Sequence, residues 1–193
     1  YYANPLTGVE DLTLEKSQNR PVAIMVNNLS TAQKVQTGLT KADIVYETEV
    51  EGGITRLMAV YQDIASVKKI GTVRSARYVY IDLAMGHNAI YVHHGQDPNY
   101  AAPHLKDTQT FVLGTNNAGY REKNGLASEH TLYGYGDKIW KCLKDSKYNT
   151  KITKVTPWQT FADAETSVTY TNVAKTVNVP FSKSYNSVFK YDA

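Results

Sequence analysis

The stretch that decides the fold spans residues 43–61 and reads DIVYETEVEGGITRLMAVY. Apolar and polar side chains alternate with a period of two on both sides of Gly52-Gly53, which is typical of strands with one buried face. Two consecutive glycines readily adopt the positive φ angles that a tight hairpin turn requires. The stretch therefore predicts an antiparallel β-hairpin.

The glycine pair also predicts a register for this hairpin. If Glu51 faces Ile54 across a two-residue turn, then Glu49 faces Arg56. One face then holds side chains that suit a core, namely Ile44, Tyr46, Thr48, Val50, Leu57, Ala59 and Tyr61. The other face holds Glu47, Glu49, Glu51, Arg56 and Met58. Because so many charges are costly to bury dry, the second face is predicted to be solvated or to form the floor of a site.

Further elements are predicted around the hairpin. Strands are expected at 20–27, 69–73, 89–93, 110–113, near 166–173 and at 176–181, and helices at 78–85, 98–106 and 129–144. Residues 114–125 are rich in Asn and Gly and are expected to form a long loop. This mixture predicts an α/β (α+β mixed) fold. From residue 150 the composition shifts to Thr, Val, Ser and Tyr, which predicts a first domain at 1–150 and the start of a second, β-rich domain, cut short, at 151–193.

Composition excludes several classes of protein. The net charge is +3 and no long basic run occurs, so nucleic acid is not an expected partner. The lone Cys142 permits neither an internal disulfide nor a multi-cysteine metal cage, and is expected to be a buried small apolar residue. No apolar run approaches the roughly 20 residues of a membrane span. The chain does not open with Met, so any signal peptide or lipid-anchor cysteine would lie upstream.

Four arginines are the candidate ligand-binding residues: Arg56 in the hairpin, Arg74 and Arg77 before a predicted helix, and Arg121 in the Asn/Gly loop. A guanidinium group presents a fixed fork of donors that suits phosphate or carboxylate. The start of a helix also favours an anion. The alternative is that these arginines form ordinary ion pairs with Glu47, Glu49, Glu51 and Asp82.

The other candidate site residues are Glu49, His93, His94, His130 and Tyr133. Glu49 is expected to orient Arg56, while His93 or His94 and Tyr133 would donate or accept directional hydrogen bonds. Histidine titrates near neutral pH, so His93, His94 or His130 is also a candidate general base. No HExxH motif, phosphate-binding loop, dinucleotide fingerprint or Gly-x-Ser-x-Gly elbow is present. Neither a metal nor a cofactor is therefore predicted.

Several ordered blocks resemble the YerB-like lipoprotein family of Gram-positive bacteria, whose domains have no assigned function. The blocks are 4–8 (NPLTG), 20–28 (RPVAIMVNN), 38–47 (GLTKADIVYE), 51–59 (EGGITRLMA), 71–77 (GTVRSAR) and 93–95 (HHG). A further block at 127–133 matches loosely, with Glu129 in place of an expected proline. The resemblance implies an extracytoplasmic protein, anchored by lipid to the membrane of the cell envelope, and a sandwich of β-sheet with flanking helices in the first domain.

Three hypotheses follow for function. The first is a binding module whose arginine-lined cleft holds an anionic envelope ligand, such as a cell-wall fragment or a lipid phosphate. The second is an envelope hydrolase or phosphotransferase that uses the same cleft, with His94 or His130 as base. The third is a structural or protein-interaction module without cleft chemistry. The residues do not decide between binding and catalysis.

Overall fold

A computed structural model describes residues 1–152, 161–162, 171 and 173–192. The strands are β1 (Tyr2–Ala3), β2 (Glu10–Leu12), β3 (Val22–Asn27), β4 (Ile44–Glu49), β5 (Thr55–Tyr61), β6 (Ile70–Gly71), β7 (Ile90–His93), β8 (Thr110–Val112), β9 (Gly119–Arg121), β10 (Leu132–Gly134), β11 (Thr176–Pro180) and β12 (Asn186–Lys190). The α-helices are α1 (Leu14–Ser17), α2 (Ser30–Gln33), α3 (Tyr78–Gly86), α4 (Ala101–Leu105) and α5 (Gly136–Asp145).

The central layer is a five-stranded sheet in the order β4-β5-β3-β7-β8. Strands β3, β7 and β8 run parallel to one another, while β5 runs antiparallel to both β3 and β4. Strands β3 and β5 are buried along their whole length. The carboxyl ends of the three parallel strands consequently meet at one edge of the sheet, beside the beginning of β5.

Each face of this sheet has its own apolar core. On one face, Met25, Met58 and Tyr91 pack with side chains of α3 and α4. On the other face, Ile24 and Leu57 pack with side chains of α5 and of a small antiparallel sheet in the order β6-β10-β9. Helices and a second sheet thus cover the central sheet, which confirms the predicted mixed α/β (α+β) sandwich.

The predicted hairpin is present, but its predicted register is wrong by one residue. Glu49 pairs with Thr55 and Thr48 pairs with Arg56. The chain turns through three residues, Glu51 to Gly53, rather than two. Both glycines have positive φ, at 71° and 70°. In an antiparallel pair, residues directly opposite each other have side chains on the same face of the sheet. The shift therefore regroups the side chains: Thr48, Arg56 and Met58 lie on the face toward α3, and Glu47, Glu49 and Leu57 lie on the other.

Three further predictions are corrected by the structure. The helix expected at 129–144 begins only at Gly136, because residues 128–130 form a 3-10 turn and 132–134 pair as β10. The loop expected at 114–125 contains β9, which pairs with β10. Sheet pairing with distant partners overrides the local helical spacing of Leu132, and the same pairing makes 119–121 a strand. Cys142 is half-buried against the core rather than fully buried.

The carboxyl-terminal strands β11 and β12 form an antiparallel hairpin. This hairpin contacts the first part of the chain, because Ser182 Oγ donates to the carbonyl of Gly53 at 2.6 Å and Ser187 Oγ lies 2.8 Å from Glu47 Oε2. The strand predicted near 166–173 lies almost entirely outside the described residues. The predicted division at residue 150 stays a prediction.

Candidate functional site

The candidate site lies at the edge where the parallel strands end. Asn27 ends β3 and pairs with Arg56 at the start of β5, and His93 ends β7. Ligands of open α/β sheets commonly bind outside the carboxyl ends of parallel strands. The segment from Arg74 to Arg77 crosses this edge, since the amide of Arg74 donates to the carbonyl of Met25.

Arg56 is the most deeply buried of the candidate arginines, with 5% of its surface exposed. Its Nη1 donates to the carbonyl of Ser75 at 2.9 Å. Among the described residues no ion pair to Arg56 is found. Burial, together with the positive charges of Arg77 and Arg74, lowers the pKa of Arg56 to about 10, while the Glu51 carboxylate acts in the opposite direction. The site thus holds a desolvated cation beside two more cations, an arrangement that favours a bound anion.

Arg74 and Arg121 are held by one short turn. Arg74 Nη1 donates to the carbonyl of Glu129 at 2.9 Å, and Arg121 Nη1 donates to the neighbouring carbonyl of Ser128. The Glu129 carboxylate lies 4.0 Å from Arg74 Nη1, which is a loose ion pair. The Nε of Arg74 is buried and has no hydrogen-bond partner within the described part of the chain. Part of the Arg74 guanidinium group thus retains donor capacity.

Arg77 differs from its neighbours because a carboxylate neutralises it. Its Nε donates to Glu51, and its Nη1 donates to the carbonyl of Ala76 at 2.8 Å. Arg77 also helps to line a cavity of about 410 Å³, called here the tyrosine cavity. The cavity is also lined by Glu49, Glu51, Tyr78, Asp97 and Tyr100.

The histidine at position 130 is fixed between two elements. Asn27 Nδ2 donates to His130 Nδ1 at 2.7 Å, because Asn27 Oδ1 already accepts from the amide of Leu29. His130 Nε2 lies 3.2 Å from Glu129 Oε1. Both ring nitrogens are therefore engaged, and the imidazole positions the turn that holds Arg74.

The adjacent histidines at the end of β7 point to opposite sides of the sheet. Buried His93 donates from Nδ1 to the carbonyl of Gly95, and its Nε2 lies 2.7 Å from Thr110 Oγ1. His94 Nδ1 donates to the carbonyl of Leu113 at 2.7 Å, and its Nε2 lies 3.2 Å from Arg121 Nη2. As with His130, neither ring has an unused nitrogen. A general base at any of the three would require one of these bonds to open.

Two predicted roles need correction. Glu49 does not orient Arg56, because the observed register places Glu49 on the opposite face of the sheet, paired with Thr55. The hydroxyl of Tyr133 donates to the carbonyl of Val35 and accepts from Asn124 Nδ2, both at 3.2 Å. Those bonds hold the Tyr133 hydroxyl against Val35 and Asn124 rather than in the arginine cluster.

Sequence reasoning missed a polar network around Glu47. Glu47 Oε1 accepts from Asn28 Nδ2 at 3.0 Å and from Thr55 Oγ1 at 2.6 Å. Asn28 and Asn27 follow a wholly apolar run in β3. A polar pair at the end of a buried strand is the signal that would have indicated both residues.

Two kinds of feature are absent from the described residues. No group of three or more His, Cys, Asp or Glu residues placed to hold a metal ion is found there. Nor does that part of the chain contain a helix with the length and apolar character needed to cross a bilayer.

Comparisons with known proteins identify the family. Residues 6–149 match the family model described as the N-terminal domain of a protein of unknown function, DUF3048. The chain belongs to this family. The DUF3048 chain is also 46% identical over 150 residues to the protein named "Putative lipoprotein YerB" of Bacillus subtilis (strain 168), a match that covers 76% of the chain and 44% of that relative.

A solved structure supports the same assignment. The DUF3048 chain is similar to the crystal structure of the YerB protein from Bacillus subtilis, with a TM-score of 0.76 and 30% sequence identity. The similarity covers 100% of the chain and 63% of the crystallised one. The chain thus spans less than two thirds of either relative. The predicted YerB-like resemblance is confirmed.

Proposed function

We propose that this chain is part of an extracytoplasmic lipoprotein that binds an anionic cell-envelope ligand through its arginine cluster, defined as Arg56, Arg74 and Arg77. The observation that carries the proposal is Arg56, a buried guanidinium group with a single hydrogen bond to a described residue and two cationic neighbours. Burying such a charge with only the nearby Glu51 carboxylate as partial compensation is costly. A bound phosphate or carboxylate would supply the rest.

The surroundings of the cluster support the same occupant. Helix α3 begins at Tyr78, directly after Arg77, so the positive end of its dipole lies beside the cluster. The buried Nε of Arg74 offers a further donor. Arg121 donates to the same turn at residues 128–130 as Arg74 does, and would extend the site toward His94.

The lipoprotein part of the proposal comes from a relative. The Bacillus subtilis protein, 46% identical over the matched region, is named a lipoprotein. A ligand of the cell envelope, such as a wall fragment or a lipid phosphate, would be accessible to a protein anchored there.

Calorimetric titration with glycerol phosphate oligomers, as phosphate-bearing wall fragments, tests the proposal. We expect binding that weakens as salt is added and a rise in Kd of at least about tenfold per arginine removed in the Arg74→Ala/Arg77→Ala variant. The matched control is Lys106→Ala/Lys144→Ala, which removes the same charge from exposed positions elsewhere. Thermal unfolding would establish that both variants are folded.

Two results would count against this function. One is equal affinity of the wild-type chain and the double arginine variant for the oligomers. The other is an equal loss of affinity in the lysine control, which would reduce the interaction to net charge.

A further inference from the structure

The tyrosine cavity presents two aromatic side chains to solvent. Tyr78 is 50% exposed and Tyr100 is 67% exposed. Their ring centroids lie 6.3 Å apart with an interplanar angle of 50°, and His104 lies against Tyr78 at 6.1 Å. Exposed tyrosines that line a cavity offer rigid, amphipathic contact area at low entropic cost.

Two of the three acidic residues that line the cavity, Glu51 and Asp97, are partly compensated already. Glu51 is paired with Arg77. Asp97 Oδ1 accepts from the amides of Asn99 and Tyr100, at 3.1 and 2.6 Å. These carboxylates retain lone pairs that accept hydrogen bonds from hydroxyl groups. Their presence makes the cavity a poor place for a phosphate, because like charges repel at close range.

The cavity adjoins the arginine cluster through Arg77, which lines the cavity and also acts electrostatically on Arg56. A ligand that reached both regions would need an anionic group at one end and a neutral, hydroxyl-rich group at the other. A volume of about 410 Å³ lies within the range of about 300–1,000 Å³ that is usual for small-molecule sites.

We propose that the tyrosine cavity binds a sugar ring of the anionic ligand, whose phosphate lies on the arginine cluster. The C–H groups of the ring would lie against Tyr78 or Tyr100, because aromatic faces are electron-rich. The sugar hydroxyls would donate to Glu51 and Asp97. This inference rests on the proposed function and adds a class of ligand to it, a sugar phosphate.

Titrations with glucose phosphate, glycerol phosphate, choline phosphate and methyl glucoside test the inference. We expect the Tyr78→Ala/Tyr100→Ala variant to bind glucose phosphate about tenfold more weakly and glycerol phosphate as well as wild type does. The Arg74→Ala/Arg77→Ala variant should lose affinity for both phosphates. The control is Tyr120→Ala, at an equally exposed tyrosine (54%) outside the cavity, which should change neither.

Each remaining outcome is decisive. Unchanged glucose phosphate affinity in the tyrosine variant overturns the sugar site and leaves the proposed function standing. A tyrosine-dependent loss confined to choline phosphate also overturns it and assigns the cavity to an ammonium group. If neither sugar nor glycerol phosphate binds, the proposed function fails. In that case the titration with methyl glucoside tests the sugar site by itself. Binding of methyl glucoside that is lost in the Tyr78→Ala/Tyr100→Ala variant retains the sugar site, and absence of binding to the wild-type chain overturns it.

Discussion

Two buried arginines at opposite ends of the central sheet show how one residue type serves two purposes. Arg20 precedes β3 and is 8% exposed, and Arg56 begins β5 and is 5% exposed. Burial lowers the pKa of both guanidinium groups. They differ in their partners rather than in their burial.

Arg20 is surrounded by acceptors from several parts of the chain. It donates to the carbonyls of Asn88, Ala89 and Asn149 at 2.7, 3.4 and 3.1 Å, and to the side chain of Gln109. No cation contributes to the lowering of its pKa. Arg20 thus ties loops together at the amino end of the parallel strands.

Arg56, by contrast, has one carbonyl partner among the described residues and two cationic neighbours. A buried guanidinium group whose donors are all occupied by the protein stabilises the fold. One with unoccupied donors and repulsion from neighbouring cations is stabilised instead by a bound anion. Hydrogen-bond saturation therefore distinguishes a structural arginine from a candidate ligand-binding one.

The largest effect is expected from Arg20→Met. The substitution removes a charged donor from several buried acceptors, so the free energy of unfolding should fall by about 3 kcal/mol. Urea denaturation measures this loss. Phosphate binding by the folded variant should match wild type, and a loss of binding would mean that Arg20 is not purely structural.

A smaller effect on stability is expected from Arg56→Met. The substitution removes an under-compensated charge at the expense of one hydrogen bond, so the free energy of unfolding should stay within about 1 kcal/mol of wild type. The Kd for glycerol phosphate oligomers should rise at least about tenfold. A loss of stability as large as that of Arg20→Met would mean that Arg56 is a structural residue like Arg20.

The smallest effect concerns pH and extends the comparison to His93, a saturated group near the arginine cluster. Burial lowers the pKa of His93, and that of His87, below the ordinary histidine value. Below a pH of about 6.5 the unfolded chain therefore binds protons that the folded chain does not. Stability should be full above that pH and should fall as the pH decreases.

Urea denaturation at several pH values between about 7 and 5 checks this sign. In His93→Gln the decline in unfolding free energy over that window should be shallower than in wild type, whatever the stability at neutral pH. An unchanged slope would show that His93 does not contribute to the decline.

Much of the fold could be predicted from sequence, since its signals are local. The alternation on both sides of Gly52-Gly53 indicated β4 and β5, and the helix expected at 78–85 is present as α3. The hairpin register could not be predicted in the same way. Two-residue and three-residue turns fit the same glycines, and this single-residue difference moves Glu49 to the face opposite Arg56.

The candidate site was only partly predictable for a related reason. The type and approximate position of Arg56, Arg74 and Arg77 indicated an anion site, and the structure brings the three into electrostatic contact. The sequence did not reveal which donors are already occupied. His94 is saturated by Leu113 and Arg121, partners 19 and 27 residues away.

By itself, the sequence determined the mixed α/β class, the hairpin and the family, because side-chain periodicity and ordered blocks of residues are properties of neighbouring positions. The tertiary structure alone decided that Arg20 is saturated while Arg56 is not. That distinction depends on carbonyl groups up to 129 residues distant, and only chain folding determines which of them come within hydrogen-bonding distance.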